Sequence, residues 1–278
     1  MSESDAPCIV VAPQLHQLQK EDKCRVLRKM RNLMRKYPEF RNVQSILGAR
    51  VPVLKFVHAP TNVECDLSVG NRALLKCQVM RDICHLDPRI KPFVMAVKKW
   101  AGGMGINDST RGTLSTFSLG LLALFHLQTR RIPIVPPLCE LFYDAPGGHG
   151  QALALPRPLE AAQTRSQERE LVAQCLSRIL APRDSGAPQA NRETVGELFE
   201  SFLVETLAVV VAAAERAAYA GPKVPPAMDV WTGRWVNESN GTVWKNAIGI
   251  LDPFEPNENP SRTVNSFESM RAVLTAFR

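Results

Sequence analysis

Apolar residues recur along residues 15–34 as Leu18, Val26, Leu27, Met30, Leu33 and Met34, set among many charges. That spacing predicts an amphipathic helix with a basic outer face. Ahead of it, residues 5–11 end on Ile9-Val10-Val11, a short apolar run that suits a strand. Two β-rich runs follow, residues 50–57 and 63–69, joined by His58-Ala59-Pro60-Thr61-Asn62. Hairpin-like antiparallel pairing is expected of them. From 71 to 128 the pattern turns helical, with breaks at Gly102-Gly103-Met104-Gly105 and at Gly112. Residues 130–137 form a proline-rich connector. Residues 144–195 read as a Pro/Gly-rich loop with one helix near 168–180. Residues 198–219 form a strongly apolar helix, ended by Pro222, Pro225 and Pro226. Strands precede helices, which predicts an α+β fold: a small sheet followed by a helical domain.

Composition adds few constraints. The chain has 278 residues, 45% hydrophobic and 22% charged, enough for one large or two modest domains with a packed core. A net charge of +7 and a pI near 9.2 favour an anionic partner such as RNA or nucleotide phosphate. Seven cysteines without close CxxC pairing suggest reduced thiols, not a disulfide framework or a zinc site. No apolar run is long enough to span a bilayer. The opening residues lack the features of a signal peptide, so secretion is not expected.

The richest polar chemistry lies near the end, at residues 250–264. Asp252, Glu255, Glu258, Asn257, Asn259 and Arg262 crowd around Phe254 among three prolines. The prolines stiffen the backbone, and the stretch reads as a rigid loop presenting hydrogen-bonding groups to something small. A plain surface turn would look much the same. Asp66, alternating with Cys65 and Leu67, likewise reads by itself as a polar-face strand residue.

Taken in order, several segments resemble a known family. They are Pro52–Lys55, Asp66, Asn71, Lys98-Lys99-Trp100-Ala101, Ile106-Asn107, residues 112–117, the connector 132–138 and the loop 252–264. The chain resembles the noncanonical RNA nucleotidyltransferases, which comprise terminal uridylyltransferases and poly(A) polymerases of the DNA polymerase β-like superfamily. The resemblance runs from about residue 50 to 277 and omits 144–195. It implies an incomplete nucleotidyltransferase palm at residues 1–70, packed on a helical, PAP-associated central domain at 71–278. It further implies that Mg²⁺ (or Mn²⁺) held by aspartates aligns an RNA 3′ hydroxyl for attack on the α-phosphate of a nucleoside triphosphate, UTP or alternatively ATP. Asp66 matches the third aspartate, and Lys98, or Lys99 in a register shifted by one, matches a lysine at the triphosphate. Thr116 stands at a phosphate-contacting Ser, and Phe117 at a base-stacking Tyr. Asp252, Glu255, Glu258 and Asn259 fall in the base-recognition loop, while Arg262 is expected to brace it.

The family pattern also breaks in places. Asp5 matches the first aspartate, but Pro7 occupies the place of the second and has no side-chain oxygen to offer a metal. The phosphate-cradling Gly-Ser turn is missing. Lys76 or Cys77 replaces a ribose-contacting Asn, and Gly102-Gly103 replaces a second lysine. The catalytic set is therefore expected to be incomplete, and an inactive RNA- or protein-binding relative is the competing expectation. A cytoplasmic protein is expected, or a mitochondrial one if a longer N-terminus exists. It would act as a monomer or within an RNA-processing complex, with no membrane partner.

Overall fold

The computed structural model describes residues 19–70, 73–143, 155–158, 165–181, 191–219, 227–236, 248–255 and 258–277. Two compact units make up the chain, residues 1–76 and 77–278.

In the first unit, helix α1 (Lys20–Met34) lies on an antiparallel sheet of β1 (Phe40–Ile46), β2 (Val53–His58) and β3 (Val63–Ser68), ordered β1-β2-β3. Leu27 and Met34 of α1 form a core with Val43, Leu54 and Val69, flanked by Val26, Met30, Phe40, Phe56 and Leu67. Alternation of side chains sends Leu54, Phe56 and Leu67 towards the helix. Phe40 meets Phe56 edge to face at 5.4 Å. The β2–β3 pairing is the hairpin that the pattern predicts, with Lys55 opposite Asp66 and His58 opposite Val63. Asn62 takes a positive φ of 53° in the turn, a conformation that Asn tolerates better than most residues.

Two sequence expectations need adjustment here. Strand β1 was not foreseen, because a bulge between Arg41 and Gln44, with Asn42 at φ 56°, breaks its alternation. Leu33, expected to face inward, is 48% exposed. At 100° per residue it falls on the outer side of α1, away from Leu27 and Met34. The expected strand at 9–11 and the first residues of the expected helix lie outside the described residues.

The second unit contains α2 (Ala73–Asp82, whose first turn belongs to the first unit), α3 (Ile90–Gly103), α4 (Thr116–Gln128), α5 (Leu138–Phe142), α6 (Arg165–Leu180), α7 (Val195–Tyr219) and α8 (Phe267–Phe277). All of α4 from Ser118 to Gln128 is buried, as expected of a helix that is apolar on every side. Phe93 and Trp100 of α3, Phe199 and Phe202 of α7, and Phe277 of α8 form an aromatic core around it. Its closest pair is Trp100–Phe277, at 4.7 Å. A capping box opens α7: Glu197 accepts from the Thr194 N–H at 2.7 Å, and the Thr194 hydroxyl oxygen accepts from the Glu197 N–H at 3.2 Å. The helices near 168–180 and 198–219 appear as expected.

The mainly helical second region also holds a small sheet, which the sequence pattern did not reveal, of β4 (Ala227–Asp229), β5 (Arg234–Val236) and β6 (Gly249–Leu251). Its order is β5-β4-β6, with β4–β5 antiparallel and β4–β6 parallel. Three-residue strands are too short to register as a period-2 pattern. The sheet packs against α4, and β6 leads directly into the polar loop.

Candidate functional site

Asp66 lies on the face of the first unit's sheet opposite α1. Its side chain is 56% exposed, and one carboxylate oxygen stands 3.2 Å from Lys55 Nζ, its cross-strand partner. Gln44 of β1 sits opposite Lys55 in turn, so this face carries a polar row. Asp5 lies outside the described residues, as do Pro7 and Asn71. Among the described residues no group of three His, Cys, Asp or Glu side chains could hold a metal ion. Of the aspartates matched to a metal site, Asp66 alone falls among the described residues, and it is paired with an ammonium group.

In the second unit Thr116, Phe117 and the polar loop after β6 meet at the start of α4. Ser115 caps that helix: its oxygen accepts from the Ser118 N–H at 3.0 Å. The Ser115 and Ser118 hydroxyls are 2.7 Å apart, and Ser118 donates to the Pro260 carbonyl at 2.7 Å. Because a hydroxyl has one hydrogen, Ser115 must donate to Ser118, giving a directed chain from the cap to the loop. Thr116, exposed at the first position of α4, donates to Asn107 Oδ1 at 3.1 Å. Phe117 is half-buried and lies 6.5 Å from Phe254 with its ring tilted 34°. Lys98 and Lys99 fall on α3, Lys98 partly covered and Lys99 exposed. Burial pushes the nearby Cys84 thiol up, and the Lys98 and Lys91 ammonium groups oppose that shift.

The polar loop after β6 divides into two kinds of residue. Asp252 is 2% exposed, and its Oδ1 accepts from the N–H groups of Phe254 at 2.9 Å and Glu255 at 3.2 Å. Asn259 is 3% exposed; its amide donates to the Ile248 carbonyl at 3.1 Å, and its oxygen accepts from the Ser261 N–H at 2.9 Å. These hydrogen bonds fold the loop that sets Phe254 against Phe117. Glu255 and Glu258 are only partly covered. Arg262 donates to the Asn259 carbonyl at 3.3 Å and stands 4.0 Å from Glu258, the bracing position expected of it. The Thr263 hydroxyl donates to the Thr113 carbonyl at 2.6 Å, a second seam between the loop and the approach to α4. Gly112 has a φ of 80°, and a Cβ there would meet Ser269 Oγ at 2.6 Å. The break predicted at this glycine is thus a left-handed turn against a close neighbour.

Sequence reasoning missed what supports this platform. From Phe117 and Phe254 an aromatic row continues through Phe142 to Trp231, with centroids 6.4 and 5.7 Å apart. Arg157 lies over the Trp231 ring at 5.1 Å and donates twice to Asp229 Oδ1 at 3.1 Å. Asp229 is fully buried and also accepts from the Trp231 N–H at 3.1 Å and the Thr232 hydroxyl at 2.8 Å. Nothing in the local sequence marks this pair, whose members are 72 residues apart. His126, 4% exposed on α4, stacks on Phe93 and faces Ser201 at 3.1 Å and Glu205 at 3.5 Å. Burial, aided by the Arg130 guanidinium and opposed by the Glu205 carboxylate, pushes its pKa down to about 4. The six described cysteines are free thiols. Burial raises Cys139 to about 11 and Cys175 to about 12. No helix among the described residues is long and apolar enough to cross a membrane.

Comparison with known proteins places these features in context. Residues 1–80 match the family described as "Poly(A) RNA polymerase, mitochondrial-like, central palm domain". Protein HESO1 of Arabidopsis thaliana is 31% identical over 232 residues, covering 80% of this chain and 40% of HESO1. The crystal structure of mtPAP in complex with UTP superposes with a TM-score of 0.66 at 23% identity, covering 97% of this chain and 52% of that one. The Cid1 poly(U) polymerase crystal structure superposes at 0.61 with 20% identity, covering 91% and 70%. The chain therefore spans less than half of the curated relative's length, and its α+β architecture is that of the two solved structures.

Proposed function

Given that the chain belongs to the noncanonical poly(A)/poly(U) polymerase family, we propose that it handles RNA 3′ ends and a nucleoside triphosphate, the partners of template-independent nucleotide addition. UTP is the proposed nucleotide and ATP the alternative. The carrying observation is Phe117 at the positive end of α4, beside Thr116 and backed by Phe254. An aromatic face receives a base, and a helix N-terminus favours phosphate. Glu255 and Glu258 are the loop side chains proposed to accept from a base N–H, with Asp252 and Asn259 keeping the loop in shape. Lys98 or Lys99 is proposed at the triphosphate. The net charge of +7 suits a polyanion.

Members of this family typically use a divalent metal, which when bound stabilises the charge of the transferring phosphoryl group. Asp66 and Asp5 are the proposed ligands in this chain. The pairing of Asp66 with Lys55 supports a second reading, a relative that binds nucleotide and RNA without efficient transfer.

One measurement tests the nucleotide site that both readings share, and a second separates them by transfer. Calorimetric titration with UTP, ATP, CTP and GTP should give saturable binding strongest for UTP. Phe117→Ala should weaken it by about 1–3 kcal/mol, the range for base–aromatic stacking. Equal, unsaturable signals for all four would remove the nucleotide site. A tailing assay with Mg²⁺ and UTP should give little or no extension by this chain, and robust extension would establish it as an active transferase.

A further inference from the structure

The basic side of α1 takes no part in the site above. Between Asp22 and Glu39 the chain carries Lys23, Arg25, Arg28, Lys29, Arg31, Arg35 and Lys36 and no carboxylate. Cys24, Leu27 and Met34 are buried beneath the helix. At 100° per residue, Arg25, Arg28, Lys29 and Asn32 therefore project away from that buried line, Lys36 follows in the turn just past Met34, and all five are exposed. Arg31 and Arg35 flank them, fixed to β1 through Ser45 Oγ at 3.2 Å and the Val43 carbonyl at 3.0 Å. Arg25 shares an exposed ion pair with Asp22 at 3.2 Å. The side chains of Arg28, Lys29 and Lys36 form no hydrogen bond or ion pair among the described residues. Tyr37 and Leu33 stand beside the strip, 50% and 48% exposed.

Like charges one helical turn apart destabilise a helix unless something opposite neutralises them, and α1 has no acid of its own to do so after Asp22. The strip runs roughly 16 Å from Arg25 to Lys36 at 1.5 Å per residue. That is the shape of a contact for a row of phosphates, with Tyr37 available to a base. A bilayer is the poorer fit, because a helix lying in a membrane needs its apolar face free, and that face of α1 is spent on the sheet. We infer that the outer side of α1 is a second contact for single-stranded RNA. It lies on the side of the sheet opposite Asp66 and holds the strand upstream of its 3′ end. The inference rests on the proposed handling of RNA 3′ ends. The sheet and the helix together separate the strip from the Asp66 face by about 15–20 Å. A trinucleotide is too short to occupy both places, and a longer strand is not.

The test uses the whole chain and the neutralised variant Arg28→Gln/Lys29→Gln/Lys36→Gln, with circular dichroism to confirm that both are folded. Binding of a uridine-rich strand of roughly 20 nucleotides is measured across salt concentrations. Three lost phosphate contacts should reduce the slope of log affinity against log salt by about 2, a loss of about 10–100-fold near 0.1 M salt. Binding of a trinucleotide and of UTP should be unchanged. An unaltered slope, or an equal loss for the trinucleotide, would overturn the inference. So would sedimentation of the chain with phosphatidylserine vesicles but no response of RNA binding to the variant. If UTP fails to bind while the long strand still responds, the nucleotide reading fails and the α1 contact stands. UTP binding with an unaltered RNA slope has the opposite meaning.

Discussion

Removing Arg157 should expose how strongly the aromatic row depends on its buried ion pair. Asp229 is fully buried, and Arg157 supplies both charged donors to its Oδ1, each at 3.1 Å. After Arg157→Ala the carboxylate keeps only the Trp231 N–H and the Thr232 hydroxyl. A buried charge stripped of its partner costs about 3–5 kcal/mol, and contact with the Trp231 ring is lost as well. The second unit covers residues 77–278, a size at which each kcal/mol moves Tm by about 2–4 °C. A fall of roughly 6–20 °C follows. All four tryptophans, Trp100, Trp231, Trp235 and Trp244, lie beyond residue 76, so urea unfolding followed by tryptophan fluorescence reads this unit selectively. The double variant Arg157→Ala/Asp229→Asn should cost less than the sum of the single variants by about 2 kcal/mol, because the charge left unpaired in one is removed in the other. A loss below about 1 kcal/mol for Arg157→Ala, or additive single variants, would refute the reasoning.

Two further outcomes follow from the same unit. His126 has a folded-state pKa near 4, below its ordinary value of 6.5. The unfolded chain therefore binds a proton first, and stability is lost as pH falls from about 6.5 and levels off below about 4, by up to roughly 3 kcal/mol. Urea titrations of His126→Phe over that window should show a flatter pH dependence, and an unchanged profile would count against the buried neutral imidazole. Gly112→Ala should destabilise by about 1–3 kcal/mol, because it combines a positive φ with a clash on Ser269 Oγ. Adding Ser269→Ala should relieve the clash but not the backbone strain, and thermal melts that recover fully would contradict the φ argument.

The parts of the fold legible in the sequence are those whose physics is local. The β2–β3 hairpin shows as alternation, and α3, α4, α6 and α7 show as helical segments marked off by glycine- and proline-rich stretches, whereas the five-residue α5 does not show. The same alternation placed Asp66 on a polar strand face. Strand β1 hid because its bulge puts Phe40 and Val43 three residues apart while both reach the core. The β4–β6 sheet hid in three-residue strands. Within the candidate site, Phe117 and the loop were legible as an ordered motif, but the division of labour inside the loop was not. Asp252 and Asn259 look like ligand-facing groups in sequence because the residues that make Asx turns are also those that bind substrates. Only their hydrogen bonds to Phe254, Glu255, Ser261 and Ile248 reveal the difference. The Arg157–Asp229 pair and the Ser118–Pro260 bond join residues 72 and 142 positions apart, beyond any local pattern.

The seams that fasten the loop share an asymmetry. Each runs from a side-chain donor, Ser118, Thr263, Asn259 or Ser261, to a main-chain carbonyl at Pro260, Thr113 or Ile248. A carbonyl is present whatever residue occupies the position, whereas the donor exists only in a few side chains. Mutational tolerance should therefore be one-sided along every seam. In a library randomised at both ends and selected for a folded second unit, the acceptor positions should drift within the limits of size and turn shape. The donor positions should return to hydroxyls and amides, so the loop's attachment is written almost wholly in one partner of each pair.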